Sequence, residues 1–105
     1  AELYDPFTFM CMTHMEDFGL VPKGEVGAWV RANQNGLDGT CPVNTHGGLL
    51  SQAHIEGMLH VTEAVKQLRG NEVEPERQVK NAKTGIVSGH GASLCMHATL
   101  ILGAL

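Results

Sequence analysis

An α/β fold, with a mixed sheet covered by helices in β-α-loop-β-α-β-β order, follows from three observations. Two segments carry apolar residues at helical spacing and each runs into a glycine. Two segments near the end are rich in aliphatic residues and separated by a glycine-containing turn, as paired strands would be. Between the helical segments lies a stretch too broken by glycine and asparagine for either state. A chain of 105 residues supports a single domain, 1–105. Because a short strand starts at once and the order lacks a partner half, we expect this domain to be incomplete at its N-terminus.

Taken in order, Ala1 to Tyr4 reads as a short strand that Asp5-Pro6-Phe7 breaks. Asp5 or Thr8 is placed to cap a helix running to about Phe18. Phe9, Met12, Met15 and Phe18 recur along one face of it, and Gly19 is its stop. Leu20 to Thr40 reads as loop and turn, broken by one short apolar piece from Val26 to Val30. Loops of this length usually bind something or cover a neighbouring subunit.

Cys41 to Asn44 is a brief strand. Ser51 is an N-cap candidate for a helix from Gln52 to Arg69, the best-supported element of the chain. Ile55, Met58, Leu59, Thr62, Val65 and Leu68 form its apolar stripe, while Glu56, Glu63, Lys66 and Arg69 fall largely off it. Lys66 and Arg69 suit the negative end of the helix dipole, and Gly70 follows as the stop. Asn71 to Lys80 is polar loop. Strands at Lys83–Ser88 and His97–Leu102 close the chain, joined by Gly89-His90-Gly91-Ala92-Ser93.

Composition narrows the function classes. With 43% hydrophobic and 17% charged residues, the chain is globular rather than disordered. A net charge of -4 argues against nucleic-acid partners and against a polybasic membrane contact. No apolar run approaches the roughly 20 residues that span a bilayer, so no membrane partner is expected. Three cysteines (Cys11, Cys41 and Cys95), an odd number at irregular spacing, suit reduced thiols in the cytoplasm.

The chemistry-bearing stretch is Asn44 to Met58. Gly47 and Gly48 allow close backbone approach, and together with Asn44 they are candidate substrate-binding residues. His54, in the first turn of the expected helix, has the position of an acid/base or oxyanion-stabilising group, because a helix N-terminus lowers an imidazole pKa. Tyr4, at a strand end, can donate to a developing oxyanion. His90 sits in the turn between the last strands, where Gly89 and Gly91 let backbone approach an acyl group. Carboxyl ends of strands and starts of helices line the crevice of open α/β sheets, so these three positions are the candidate catalytic set. The plain alternatives are a solvated or capping histidine and a packed tyrosine. His14, His60 and His97 lie in or beside apolar faces and read as structural. Neither Cys11 with His14 nor Cys95 with His97 has a second paired ligand set at zinc spacing, so no metal site is expected.

Together these segments resemble the C-terminal half of the thiolase superfamily, in the lipid-transfer or sterol-carrier-type branch. The family's Asn-x-x-Gly-Gly stretch is matched by Asn44 to Gly48, and its Gly-His-Pro by Ala53-His54-Ile55. Gln67-Leu68-Arg69-Gly70, then Arg77-Gln78-Val79, match the helix end of the branch. Tyr4-Asp5-Pro6-Phe7-Thr8 corresponds to its His-Asp-Cys-Phe-Thr. The resemblance implies the layered thiolase fold and a nucleophilic cysteine in an N-terminal half that this chain lacks. By position it makes His54 the histidine that supports that cysteine, and it sets His90 where a second, proton-moving cysteine stands. Tyr4 falls where an asparagine or histidine holds an oxyanion-hole water.

What the resemblance implies for function is a thiolase-like acyl-CoA acyltransferase, inactive as this chain alone. It would form or cleave the C–C bond of a 3-ketoacyl-CoA, with coenzyme A as cosubstrate and no permanently bound cofactor. The alternative is a retro-aldolase acting on a 3-hydroxyacyl-CoA, or a non-catalytic subunit that binds CoA esters or a partner. The expected partners are the N-terminal thiolase half, a second copy in a homo-oligomer, and a small OB-fold, zinc-ribbon subunit.

Overall fold

The computed structural model describes all 105 residues, as four helices and one antiparallel hairpin. The helices are α1 (Thr8–Asp17), α2 (Val26–Arg31), α3 (Gly48–Ser51) and α4 (Met58–Arg69). Strands β1 (Thr84–Gly91) and β2 (Met96–Gly103) pair in register from Thr84↔Gly103 to Gly91↔Met96. Alternation along β1 sends Ile86, Ser88 and His90 to one face and Val87 to the other. Ile86 joins the apolar core and Ser88 meets His14 of α1, whereas Gly85 lies against Ala64 and Leu68 of α4. The hairpin is therefore packed between α1 and α4. Leu3, Met15 and Val21 are the buried apolar centre, with Phe18, Trp29 and Ile86 packed around them.

The expected opening strand contracts to one parallel bridge, Glu2↔Val87, in which Glu2 accepts from Ser88 N–H at 3.0 Å and donates to Ile86 at 2.8 Å. This bridge beside the antiparallel hairpin is all that the mixed sheet amounts to. Cys41 to Asn44 does not form a strand. Pro42 has no N–H to offer a ladder, and Asn44 turns left-handed at φ 50°. The Asn44 side chain instead clamps Leu3, accepting from its N–H at 2.7 Å and donating to its carbonyl at 2.9 Å.

Helix α1 lies within its expected bounds, but neither Asp5 nor Thr8 caps it. Asp5 is engaged elsewhere, accepting from the backbone N–H of Leu49 at 3.2 Å. Only Met15 of the expected apolar face is buried; Phe9 is exposed and stacks on Phe7. The apolar piece from Val26 is the short helix α2.

The larger correction concerns the second long helix, which starts at Met58 rather than Gln52. Glu56 (φ 47°) and Gly57 (φ 83°) are both left-handed, which resets the chain direction immediately before α4. Ser51 ends the single turn of α3 and caps nothing. The expected apolar stripe of α4 is also not the buried one. His60, Glu63, Ala64 and Gln67 face inward, while Ile55 and Met58 are exposed. A polar network draws that face in. Glu63 accepts from Thr45 at 2.7 Å, from Gln67 at 2.9 Å and from Arg77 at 2.8 Å, so its buried charge is paired.

Candidate active site

Tyr4 ends the opening segment as a buried residue, 7% exposed, its backbone N–H donating to Ser88 Oγ at 2.9 Å. Gly57 sits against the ring edge. Fixed in this way, the Tyr4 hydroxyl lies 2.8 Å from His54 Nε2. The His90 ring lies nearly parallel to that of Tyr4, 30° apart with centroids 5.8 Å apart. The three expected catalytic side chains therefore do meet, along a groove of about 760 Å³ closed by Glu56, Gly91, Ala92, Ser93 and Leu94.

Two of the three are placed differently from expectation. His54 is not in a helix first turn; it belongs to the non-helical segment between α3 and α4, and its ring is exposed. The dipole that was to tune it is therefore not beside it. His90 is not in the turn. It is a strand residue paired with His97, because β1 runs on to Gly91 and the reversal is made by Ala92, Ser93 and Leu94 (φ 48°, 53° and 74°). Neither Gly89 nor Gly91 has a positive φ, and both are strand residues of β1.

The candidate substrate-binding residues Asn44, Gly47 and Gly48 lie elsewhere. Asn44 is consumed by its clamp on Leu3, and Gly48 (φ 72°) is where the Asp5 carboxylate comes in, a place a Cβ would fill. Asn44 and Gly47 border a second groove of about 590 Å³, with Met12, Met15, Val30 and Val43. Pro6 and Phe7 wall both grooves, so the two are neighbours across the Tyr4–Thr8 segment.

The thiols stand apart from the Tyr4–His54 pair. Burial, helped by the charges of Asp5 and Glu2, pushes Cys11 up to about 12, so it is no nucleophile at neutral pH. Cys95 is exposed on the approach to β2.

Sequence reasoning set aside His14, His60 and His97 and passed over His46, and the structure gathers these four into two clusters, the first with His90. His14, on α1, has its Nε2 2.7 Å from His90 Nε2, and His97 Nδ1 is 2.9 Å from the same nitrogen. Burial, then the neighbouring imidazoles, hold His14 below the usual range; burial and His97 do the same for His90. His46 and His60 surround the buried Glu2. His46 Nδ1 stands 3.1 Å from Glu2 Oε2, and His60 Nε2 is 3.2 Å from Asp5 Oδ1. Neither contact is an aligned hydrogen bond. The only sequence signal for the first cluster is the cross-strand pair His90↔His97, visible once the register is known.

The family model for the thiolase C-terminal domain-like group matches residues 1–104. A 17-hydroxy-3-oxo-4-pregnene-20-carboxyl-CoA lyase of Mycobacterium tuberculosis is 39% identical over 90 residues, covering 82% of this chain and 23% of the relative. An acetyl-CoA acetyltransferase of Methanothermobacter thermautotrophicus is 34% identical over 103 residues, covering 92% and 26%. The solved structure of an Ltp2-ChsH2(DUF35) aldolase matches with a TM-score of 0.86 and 34% identity, covering 98% of this chain and 26% of that one. The chain thus spans about a quarter of the length of the relatives it matches. Those relatives are named for CoA esters. No helix is long and apolar enough to cross a membrane.

Proposed function

The chain belongs to the thiolase C-terminal domain-like family, and on that premise we propose that it supplies the acid–base wall of an aldolase. The reaction is cleavage of a 3-hydroxyacyl-CoA by the Tyr4–His54 pair. The observation that carries this reading is the 2.8 Å approach of the Tyr4 hydroxyl to His54 Nε2 at the groove they share.

The substrate's 3-hydroxyl proton passes to Tyr4 Oη as the tyrosine's own proton passes to His54 Nε2. The bond between C2 and C3 breaks, leaving a carbonyl at C3 and its electron pair on C2 as the thioester enolate. Return of the proton to C2 through the same pair releases the shorter acyl-CoA and restores the starting state. A general acid–base pair of this kind contributes about 10²–10⁴-fold. His90 orients the Tyr4 ring from behind, and its Nε2 is turned to His14 and His97. The remainder of the enzyme, including a second copy and a DUF35-type OB-fold, zinc-ribbon subunit, would complete the acyl-CoA site.

The second reading is the thiolase, in which His54 activates a cysteine of the N-terminal half with free coenzyme A as cosubstrate. It draws support from the acetyltransferase relative and from the retained His54.

In the complete protein, Tyr4→Phe and His54→Gln should each lower kcat/KM for 3-hydroxyacyl-CoA cleavage by about 10²–10⁴-fold. No cysteine should carry an acyl group in the mass spectrum during turnover. An acyl adduct together with an obligatory requirement for free coenzyme A would establish the thiolase instead. Turnover intact in both variants would reduce the domain to a binding role.

A further inference from the structure

We propose that His14, His90 and His97 form a three-imidazole site for a divalent transition-metal ion, zinc foremost, opening to solvent at the α1 face of the hairpin. The site uses neither Tyr4 nor His54, and it adjoins the acid–base pair only through His90, whose ring stacks on that of Tyr4.

Three features support it. First, the ring nitrogens converge. His90 Nε2 lies 2.7 Å from His14 Nε2 and 2.9 Å from His97 Nδ1, and all three ligand atoms fall within 4.8 Å of one another. One nitrogen of a neutral imidazole offers either one lone pair or one N–H, so His90 Nε2 cannot serve both neighbours with linear hydrogen bonds. A cation at that point is served by all three lone pairs.

Second, two of the three outer nitrogens are held as metal-binding histidines usually are, while Nδ1 of His90 is buried without a partner. His14 Nδ1 lies 3.2 Å from Ser88 Oγ, and His97 Nε2 lies 2.7 Å from Thr99 Oγ1. Outer N–H donation to these hydroxyls leaves His14 Nε2 and His97 Nδ1 as inward lone pairs. Ser88 is itself fixed by the backbone N–H of Tyr4.

Third, no counter-charge occupies the place of the ion. Asp17 is the one carboxylate bordering this groove, and it is paired with Lys23. Imidazole sets favour zinc, copper and nickel over magnesium or calcium. Three histidines with a fourth position facing the groove match an open zinc site that retains a water. Zinc–nitrogen bonds of 2.0–2.1 Å set tetrahedral ligand atoms about 3.3 Å apart, so the rings open by about half an ångström. His97 is exposed and free to make that movement.

The test uses the complete protein stripped with a chelator, titrated with Co²⁺ and with Zn²⁺ in competition against a chromophoric chelator, and without any CoA ester. Expected are one equivalent of tight binding, at about micromolar or better, and visible Co²⁺ bands of a four-coordinate site. His97→Ala should weaken binding by about tenfold or more, while Cys95→Ser leaves it unchanged. Binding weaker than about 10 μM, or stoichiometric binding that survives His97→Ala, overturns the site. Loss of binding in Cys95→Ser overturns its three-imidazole composition. Near-UV circular dichroism confirms that each variant is folded, and failure here leaves the Tyr4–His54 reading untouched.

Discussion

Two clusters of imidazoles lie on this small domain, and they are treated oppositely. His46 and His60 are buried around Glu2 and Asp5, so each ring meets a carboxylate. His14, His90 and His97 run from the interior to the surface and meet chiefly one another. The first arrangement satisfies a buried charge and therefore holds the opening segment to α4. The second leaves lone pairs pointing at a shared space. Burial with a counter-charge makes a histidine structural; partial exposure without one leaves it available for chemistry.

The largest effect should come from removing the counter-charge of the first cluster. Glu2→Ala strips Thr45, His46 and His60 of their shared partner and should cost about 3–5 kcal/mol, measured by urea unfolding of the complete protein. A loss below about 1 kcal/mol would mean that the buried cluster is not what holds the segment.

Acid should break the same cluster from outside. Burial raises the Glu2 pKa, but the contacts of His46, His60 and Thr45 outweigh it and hold the carboxyl well below the usual carboxylate range. A carboxyl held below its unfolded value stabilises the fold fully above that value, near 4.5, and loses this as pH falls through the lowered one. The wild-type stability curve should show this loss, while that of Glu2→Ala should not.

The smallest effect belongs to the open cluster. His97 is exposed, so His97→Ala in metal-free protein should change stability by no more than about 0.5 kcal/mol. A larger loss would show that the open cluster is structural after all, and the contrast between the two would fail.

What could be read from the sequence follows the same division. The family, the α1 region, the end of α4 at Gly70 and the meeting of Tyr4, His54 and His90 rest on local patterns or on motif order. The start of α4 was hidden because left-handed backbone at Glu56 and Gly57 breaks a stripe that looks continuous from Ile55. Its polar inward face was hidden because the partners of Glu63 are Thr45 and Arg77, on segments with no helical period of their own. The metal-like cluster was hidden because His14 and His90 are 76 residues apart, and no local spacing encodes that approach.

The reversal at Ala92, Ser93 and Leu94 sets a limit on how this chain can vary. Three successive non-glycine residues sit in a conformation that glycine or asparagine adopts at less cost, each at about 1 kcal/mol. Substitution towards glycine would relax the loop and stabilise the domain, yet these residues form the rim of the Tyr4–His54 groove. Any stability gained from glycine there therefore comes with a change in the shape of the groove rim.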